Sequence, residues 1–337
     1  MKTLPDGARG WRKAGLRFAL IVLALGLFVV FTTSMPGKSY SGALGPLSQE
    51  ERQLSANLKD HVQMLAGTIG ERNDIRYKSL QDAAQYLESS LRGNGYQVNS
   101  QEYLAEGKTV RNLATELPGA AVRSEIVVVG AHYDTAYDCP AADDNTSGTA
   151  ALLELARLLK PSHPARTVRF VAFVNEEPPY FQTANMGSWV YAKKAHAARE
   201  NIVAAISLET IGMYMETPGS QHYPAGFGLL YPSQGDFIAF VGNVGSRGLV
   251  RDTLRSFRRG TAFPSQGSAV PGWIAGVGWS DHWSFWQEGY PAVMVTDTAL
   301  FRNPNYHQPS DKPDTLDYDR MARVVRGLAT VIMDLGK

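Results

Sequence analysis

The stretch that decides the fold runs from Glu125 to Leu159 and reads EIVVVGAHYDTAYDCPAADDNTSGTAALLELARLL. Its unbroken run of β-branched residues at 126–129 is typical of a strand buried on both faces of a parallel sheet. A polar loop follows, and leucines then recur at helical spacing over Gly148–Leu159. Strand, loop and helix in this order predict one unit of an α/β sheet. The polar loop would lie at the carboxyl edge of that sheet, where such folds bind ligands.

The rest of the chain repeats this alternation of strands and helices. Apolar runs predict strands at 168–174, 203–208 and 292–296, and weaker patterns predict strands at 97–103 and 112–117. Helical spacing of apolar residues predicts helices at 48–66, 78–92, 189–196, 237–257 and 321–335. We therefore predict an α/β fold in which a mixed, mainly parallel central sheet is covered by helices on both faces, in three αβα layers.

The N-terminus has the pattern of a membrane anchor. Basic residues crowd the segment 1–17, and an apolar segment follows at 18–35. We interpret these as a basic cytoplasmic segment and a signal-anchor or transmembrane segment, followed by a Gly/Ser/Pro-rich linker at 36–47 and one domain at 48–337. The positive flank predicts that the domain lies outside the cytoplasm, periplasmic or extracellular. If the apolar segment were instead a cleaved signal peptide, the protein would be secreted.

The overall composition excludes two classes of protein. The formal net charge is +1, so the chain has no basic footprint for a nucleic acid, and we expect no nucleic-acid partner. Cys139 is the only cysteine, which excludes an internal disulfide, and we interpret it as a filler residue instead of a metal ligand. The sequence leaves the oligomeric state open.

Ionisable side chains follow the predicted strands at the edge where the strands end. Carboxylates crowded at one edge repel one another unless cations hold them together. Two histidines and three carboxylates, one of them bridging, match a pair of Zn²⁺ ions. The side chains that follow the strands are, in chain order, His132, Asp134, Asp143, Asp144, Glu176, Glu177, Glu209, Tyr306 and His307.

Six motifs in this order resemble those of the M28 zinc metallopeptidases, a family of aminopeptidases, glutamate carboxypeptidases and glutaminyl cyclases. The resemblance covers about residues 50–335. It rests on GAHYD at Gly130–Asp134, ADDNTSG at Ala142–Gly148, NEE at Asn175–Glu177, SLETIG at Ser207–Gly212, SDHWSF at Ser280–Phe285 and NYHQPSD at Asn305–Asp311.

The resemblance implies a set of metal ligands. His132 and Glu209 would bind one zinc, Glu177 and His307 the other, and Asp144 would bridge both. Glu209 departs from the aspartate that is common at its position, so the metal there would sit differently or bind with different affinity.

The resemblance also assigns roles around the metals. Glu176 would be the general base, and Tyr306 would stabilise the oxyanion. Asp134 would accept a hydrogen bond from the far nitrogen of His132, and Asp281 with His282 would buttress the site. The segment Pro178–Met186, longer than the family's usual turn, would either shape the substrate pocket or be a packed surface loop.

The function implied by these residues is a membrane-anchored dizinc aminopeptidase that removes N-terminal residues from peptides. One alternative is a glutaminyl cyclase-like acyltransferase with a single zinc. Another is a binding ectodomain that kept the fold and lost its catalysis.

A row of arginines lies largely on one face of the helix predicted at 237–257. We interpret it as a solvated face, with contact to anionic lipid as the alternative. The row comprises Arg247, Arg251, Arg255, Arg258 and Arg259.

Overall fold

The computed structural model describes residues 7–337, with side chains from residue 11, and is built around an eight-stranded sheet. In spatial order the strands are β1 (Asn99–Ala105), β2 (Lys108–Leu117), β4 (Arg166–Phe173), β3 (Val122–His132), β5 (Asn201–Glu209), β8 (Ala292–Thr296), β6 (Ile238–Gly242) and β7 (Ser265–Ala269). Strands β4, β3, β5 and β8 run parallel to one another, whereas β1–β2, β2–β4 and β6–β8 are antiparallel pairs. The predicted mixed, mainly parallel sheet is confirmed.

Helices cover both faces of the sheet, which confirms the three-layer prediction. The larger core lies under α2 (Gln49–Val62), α3 (Tyr77–Gly93), α4 (Gly148–Leu159), α6 (Arg247–Gly260) and α8 (Tyr318–Leu335). The smaller core lies under α5 (Gly187–Ala197) and α7 (His282–Gln287). Strand β3 feeds both, because Val127 and Val129 point into the larger core while Ile126 and Val128 point into the smaller one. One further α-helix, α1 (Gly7–Thr33), precedes these in the chain.

The helix predicted at 237–257 is wrong in its first part. Residues 238–242 form strand β6 between β8 and β7, and helix α6 begins only at Arg247. The turn between them is closed by Asn243, whose side chain accepts a hydrogen bond from the backbone N–H of Ser246 at 2.8 Å. An apolar run of five residues fits a buried strand and a buried helix equally well, and only pairing with β8 decides between them.

Helix α1 projects from the domain. Residues Trp11–Thr33 are long and apolar enough to span a membrane, and nearly all of them are exposed, although Thr32 at the end is buried. The helix therefore lacks the packing of a core helix. It also includes residues 7–17, which the sequence placed before the anchor, while residues 1–6 lie outside the described part of the chain.

The linker predicted at 36–47 packs on the domain instead of forming a free spacer. Its first residues lie against α6 and β7, where Arg258 donates to the carbonyls of Pro36 and Gly37 and the hydroxyl of Ser39 accepts the N–H of Ser265. Leu44 packs against the larger core. Regular structure resumes with α2, where Ser48 and Glu51 form the predicted capping box.

Candidate metal centre

The predicted ligands converge at the carboxyl edge of the sheet. His132 ends β3, and Glu209 ends β5. Glu177 lies in the loop after β4, Asp144 lies just before α4, and His307 lies in the loop after β8. All except His307 are buried. The parallel strands place these ends together because every crossover returns the chain to the same edge.

The first group of ligand atoms surrounds His132. Its Nε2 lies 3.3 Å from Oε2 of Glu209 and 3.5 Å from Oδ1 of Asp144. The three atoms that could bind an ion all lie within 4.8 Å of one another. This group therefore has the donor types and the size of a zinc site.

The second group surrounds His307. Its Nε2 lies 2.9 Å from Oδ2 of Asp144 and 3.2 Å from Oε2 of Glu177. Asp144 thus offers one carboxylate oxygen to each group. That arrangement is what a bridging ligand requires.

Unpaired buried atoms give an independent test of whether these residues fit a metal. Nε2 of His132, Oδ2 of Asp144, Oε1 of Glu177 and Nε2 of His307 are buried without a hydrogen-bond partner among the described residues. Leaving such atoms unpaired costs free energy, and a cation at the point they face would satisfy them. Histidine nitrogens and carboxylate oxygens are ligands that zinc accepts, so the donor set fits the predicted metal.

The electrostatics of the site record the crowding of acids. Burial, and after it the neighbouring Asp144, raises the pKa of Glu177 to about 7, and burial raises the pKa of Glu209 to about 8. Burial opposes protonation of His307, but Asp144 and Glu177 raise its pKa to about 10. Protonation of these groups therefore neutralises part of the negative charge of the site, as a bound cation would.

Asp134 organises the loop that carries the two glutamates. Its carboxylate accepts the backbone N–H groups of Glu176 at 3.1 Å and Glu177 at 3.0 Å. It faces Nδ1 of His132 at 3.5 Å, without hydrogen-bond geometry. Asp134 therefore fixes the glutamate backbone directly, and its bond to His132 stays a prediction.

Glu176 lies beside the ligands in an enclosed position. Its Oε2 is 3.9 Å from Nε2 of His132, and burial raises its pKa well above the ordinary value. It also belongs to a third possible group of ligand atoms with His132 and Glu177. The geometry therefore allows Glu176 to act either as a general base or as a metal ligand.

The remaining predicted residues occupy different positions. Tyr306 stacks on His307 with ring centroids 4.0 Å apart, and burial keeps its hydroxyl protonated by raising its pKa. Asp281 is buried with both carboxylate oxygens unpaired among the described residues, and burial raises its pKa to about 7. His282 is buried, with Nε2 placed 2.7 Å from the carbonyl of Val277. His282 therefore supports a neighbouring loop.

A comparison with protein families decides the relationship that the motifs suggested. The family described as Peptidase family M28 matches residues 112–332. The chain belongs to peptidase family M28. A relative with 38% identity, the uncharacterized protein YfbL of Escherichia coli, is matched over 82% of this chain and 86% of its own length. A probable leucine aminopeptidase of Arthroderma otae shares 27% identity over 65% of this chain and 56% of its own length.

Solved structures share the fold of this M28 peptidase. A zinc aminopeptidase from Bacillus subtilis superposes with a TM-score of 0.67 at 15% identity, covering 83% of this chain and 95% of its own. A glutaminyl cyclase from Fimbriiglobus ruber superposes with a TM-score of 0.63 at 21% identity, covering 87% and 97%. The predicted fold class is therefore confirmed.

Several residues that hold the site of this M28 peptidase were not singled out from the sequence. Asp311 accepts the N–H groups of Asp143 at 2.9 Å and Asp144 at 3.1 Å. Ser280 donates to Oε2 of Glu209 at 2.6 Å. Arg72, fully buried, donates to the carbonyls of Tyr133 at 2.6 Å and Pro140 at 3.0 Å. Asp311 and Ser280 fall within the NYHQPSD and SDHWSF motifs, which is the signal that could have found them.

An apolar cavity adjoins the metal centre of this M28 peptidase. Glu209 and Tyr306 are among its lining residues, and its other walls come from β6, β8 and the loops around them, including Phe227, Val241, Ile274, Trp279 and Met294.

The segment Pro178–Met186 does not line this cavity. It packs instead beside β1, where Tyr103 donates to the carbonyl of Asn185 at 2.9 Å, and Gln182 donates to the carbonyl of Gly278 at 3.1 Å. The interpretation of this segment as a packed loop fits these contacts better than a role in the cavity wall.

Proposed function

We propose that this chain is a dizinc aminopeptidase. The observation that carries the proposal is the position of Asp144 between two groups of ligand atoms. One of its carboxylate oxygens faces His132 and Glu209, and the other faces Glu177 and His307. Two zinc ions held there would polarise the carbonyl of the scissile bond and lower the pKa of a water molecule. The zinc aminopeptidases among the structural neighbours support this assignment.

Glu176 is the proposed general base. Its carboxylate lies beside the proposed ligands, and burial with nearby carboxylates raises its affinity for a proton. It would take a proton from the attacking water and return it to the leaving amine, as a carboxyl group with a raised pKa is able to do near neutral pH. The protonated Tyr306 hydroxyl would donate to the oxygen that becomes negative in the transition state.

Substitutions of Glu176 and Glu177 distinguish the proposed general base from the proposed zinc ligand. We expect Glu176→Gln to retain two zinc ions per chain and to lose activity by about 10²–10⁴-fold, the usual contribution of a general base. Glu177→Gln should instead lose zinc. Zinc content measured by mass spectrometry, together with kcat on an aminoacyl anilide, distinguishes them. Loss of zinc from Glu176→Gln with retention in Glu177→Gln would show that base and ligand are exchanged.

The substrate proposal is a peptide whose N-terminal side chain is apolar. The cavity beside Glu209 and Tyr306 is lined mainly by aromatic and aliphatic side chains, and burial of an apolar side chain there is favourable. Leucyl and phenylalanyl anilides should therefore have higher kcat/KM than lysyl or aspartyl anilides.

A glutaminyl cyclase is the second candidate, because solved cyclases share the fold over most of their length. A cyclase would use a single zinc and convert a Gln-initiated peptide to its pyroglutamyl form. One zinc per chain with turnover of a Gln-initiated peptide but not of a leucyl anilide would replace the aminopeptidase proposal with this one.

The proposed location is outside the cytoplasm, anchored by α1. The support is the exposed apolar helix together with the basic residues in its N-terminal part, among them Arg12, Lys13 and Arg17. Accessibility of the domain to added protease in intact spheroplasts would test this topology.

A further inference from the structure

The arginines of α6 make direct contact with the end of the apolar helix α1. Nε of Arg247 donates to the carbonyl of Phe31 at 2.6 Å, and its guanidinium lies 4.0 Å from the centre of the Phe31 ring. Nη1 of Arg251 donates to the carbonyl of Ser34 at 2.5 Å. The last carbonyls of a helix lack intrahelical partners and carry partial negative charge, so cationic donors stabilise them.

These contacts fix where a membrane would lie. The apolar window of α1 ends at Thr33, and Arg247 reaches the chain two residues earlier. If α1 spans a bilayer, Arg247 and Arg251 lie at the level where hydrocarbon gives way to headgroups. Neither arginine forms a salt bridge within the described residues, whereas Arg255 pairs with Asp252 and Arg259 pairs with Asp334.

An exposed tryptophan lies at the same end of the domain. The loop after β7 begins with Val270, whose N–H donates to the carbonyl of Gly242 at 3.0 Å, next to the turn that starts α6. Trp273 in this loop is 84% exposed. Tryptophan is enriched where one end of a side chain meets apolar tails and the other meets water.

We propose that Arg247, Arg251 and Trp273 form a basal surface that binds the headgroups of anionic phospholipid. The arginines supply positive charge for phosphate, the tryptophan supplies an interfacial ring, and α1 brings both to the bilayer. This inference does not depend on the proposed catalytic function.

The two arginines of the basal surface lie beside the edge of the sheet opposite the metal centre. Gly242, at its edge, pairs with Val293 near the start of β8, while the metal centre follows the carboxyl ends of β3 and β5. The five residues of β6 alone separate the two ends by about 16 Å. Bound lipid would therefore hold the domain with its active site facing the aqueous compartment.

Hydrogen exchange of the full chain in lipid nanodiscs tests the proposal. In discs that contain phosphatidylglycerol, amides in 243–255 and 270–276 should exchange more slowly than in discs of phosphatidylcholine alone. Each arginine should contribute roughly fivefold, and added salt should weaken the effect. Arg247→Gln with Arg251→Gln should abolish the difference between the two lipids, and the corresponding lysine variant should keep most of it.

A matched variant controls for net charge. Arg76→Gln with Lys78→Gln also removes two positive charges, but from exposed side chains at the start of α3, beside the edge of the sheet where β4 ends. It should exchange like the unmodified protein in both lipids, and thermal melting would show that each variant is folded. The proposal is overturned if the unmodified protein exchanges alike in both lipids, or if the Arg247/Arg251 variant keeps the difference.

Discussion

Asp144 is held in place by contacts with residues that are distant in sequence. It lies in an irregular turn, with φ −106° and ψ 91°, just before α4. Asp311 accepts its N–H, and the side chain of Asn145 binds the carbonyl of Leu208 at 2.7 Å and the N–H of Thr210 at 3.1 Å. The proposed bridging carboxylate is therefore positioned by the loops on either side of it.

Substitution of Asp311 should weaken metal binding without removing a ligand. In Asp311→Ala the N–H groups of Asp143 and Asp144 lose their acceptor, so the turn loses its fixed geometry. Loss of such supporting contacts typically lowers metal affinity by about 10–100-fold. Competition with a zinc chelator measures this, with Asp314→Ala, an exposed aspartate nearby, as the control. Equal affinity in the two variants would contradict the role given to Asp311.

The depth of the apolar cavity should set substrate preference. Ala239 on β6 lines the cavity, so Ala239→Leu would fill part of the space for the substrate side chain. A change of one or more methylenes in such a pocket alters selectivity by about 10–200-fold. We expect the ratio of kcat/KM for leucyl over alanyl anilide to fall by at least about tenfold on this scale. Ala239→Ser, whose side chain is smaller than that of leucine, should leave the ratio nearly unchanged. An unchanged ratio in Ala239→Leu would exclude this cavity as the pocket for the substrate side chain.

At the scale of elements, β6 and β7 show why local pattern was insufficient. The apolar residues of β6 suited a helix that continued into α6, and β7, with the sequence SQGSA, has no large apolar residue. Gly267 on β7 is closely approached, since an added Cβ would lie 2.7 Å from Cδ2 of Leu254. Packing against α6 and pairing with β6 create this strand, and neither is visible locally.

The turn that separates β6 from α6 depends on Asn243. Its side-chain oxygen accepts the N–H of Ser246 at 2.8 Å, and the same N–H also donates to the backbone carbonyl of Asn243 at 3.1 Å. Asn243→Ala should lower the free energy of unfolding by about 1 kcal/mol, whereas Asn243→Asp should retain most of it. Chemical denaturation measures both variants. If alanine and aspartate were equally stable, the cap would contribute nothing.

At the scale of the whole molecule, the metal centre links stability to pH. The pKa values of Glu177 and Glu209 are raised to about 7 and 8, and those of Asp281 and Asp311 to about 7. The folded, metal-free domain thus keeps protons that the unfolded chain loses above the ordinary carboxyl pKa. This stabilisation is complete below that ordinary value and is lost as pH rises through 7 and 8.

The melting temperature of chelator-treated protein should therefore fall between about pH 5 and about pH 8. Zinc displaces the same protons, so the stabilisation by added zinc should grow over this window. Scanning calorimetry with and without zinc measures both trends, and Glu209→Gln should flatten the slope of the metal-free protein. A rise in the melting temperature of the metal-free protein toward about pH 8 would contradict the assignment.

The sequence by itself determined the α/β class, most of the strands and helices, and the residues that converge on the metal centre. Local periodicity encodes the elements, and the carboxyl ends of parallel strands must share one edge. Only the tertiary structure decided the strands β6 and β7, the contacts of Asp311 and Arg72, and the docking of the α6 arginines on α1. These depend on partners far away along the chain, whose proximity no local pattern contains.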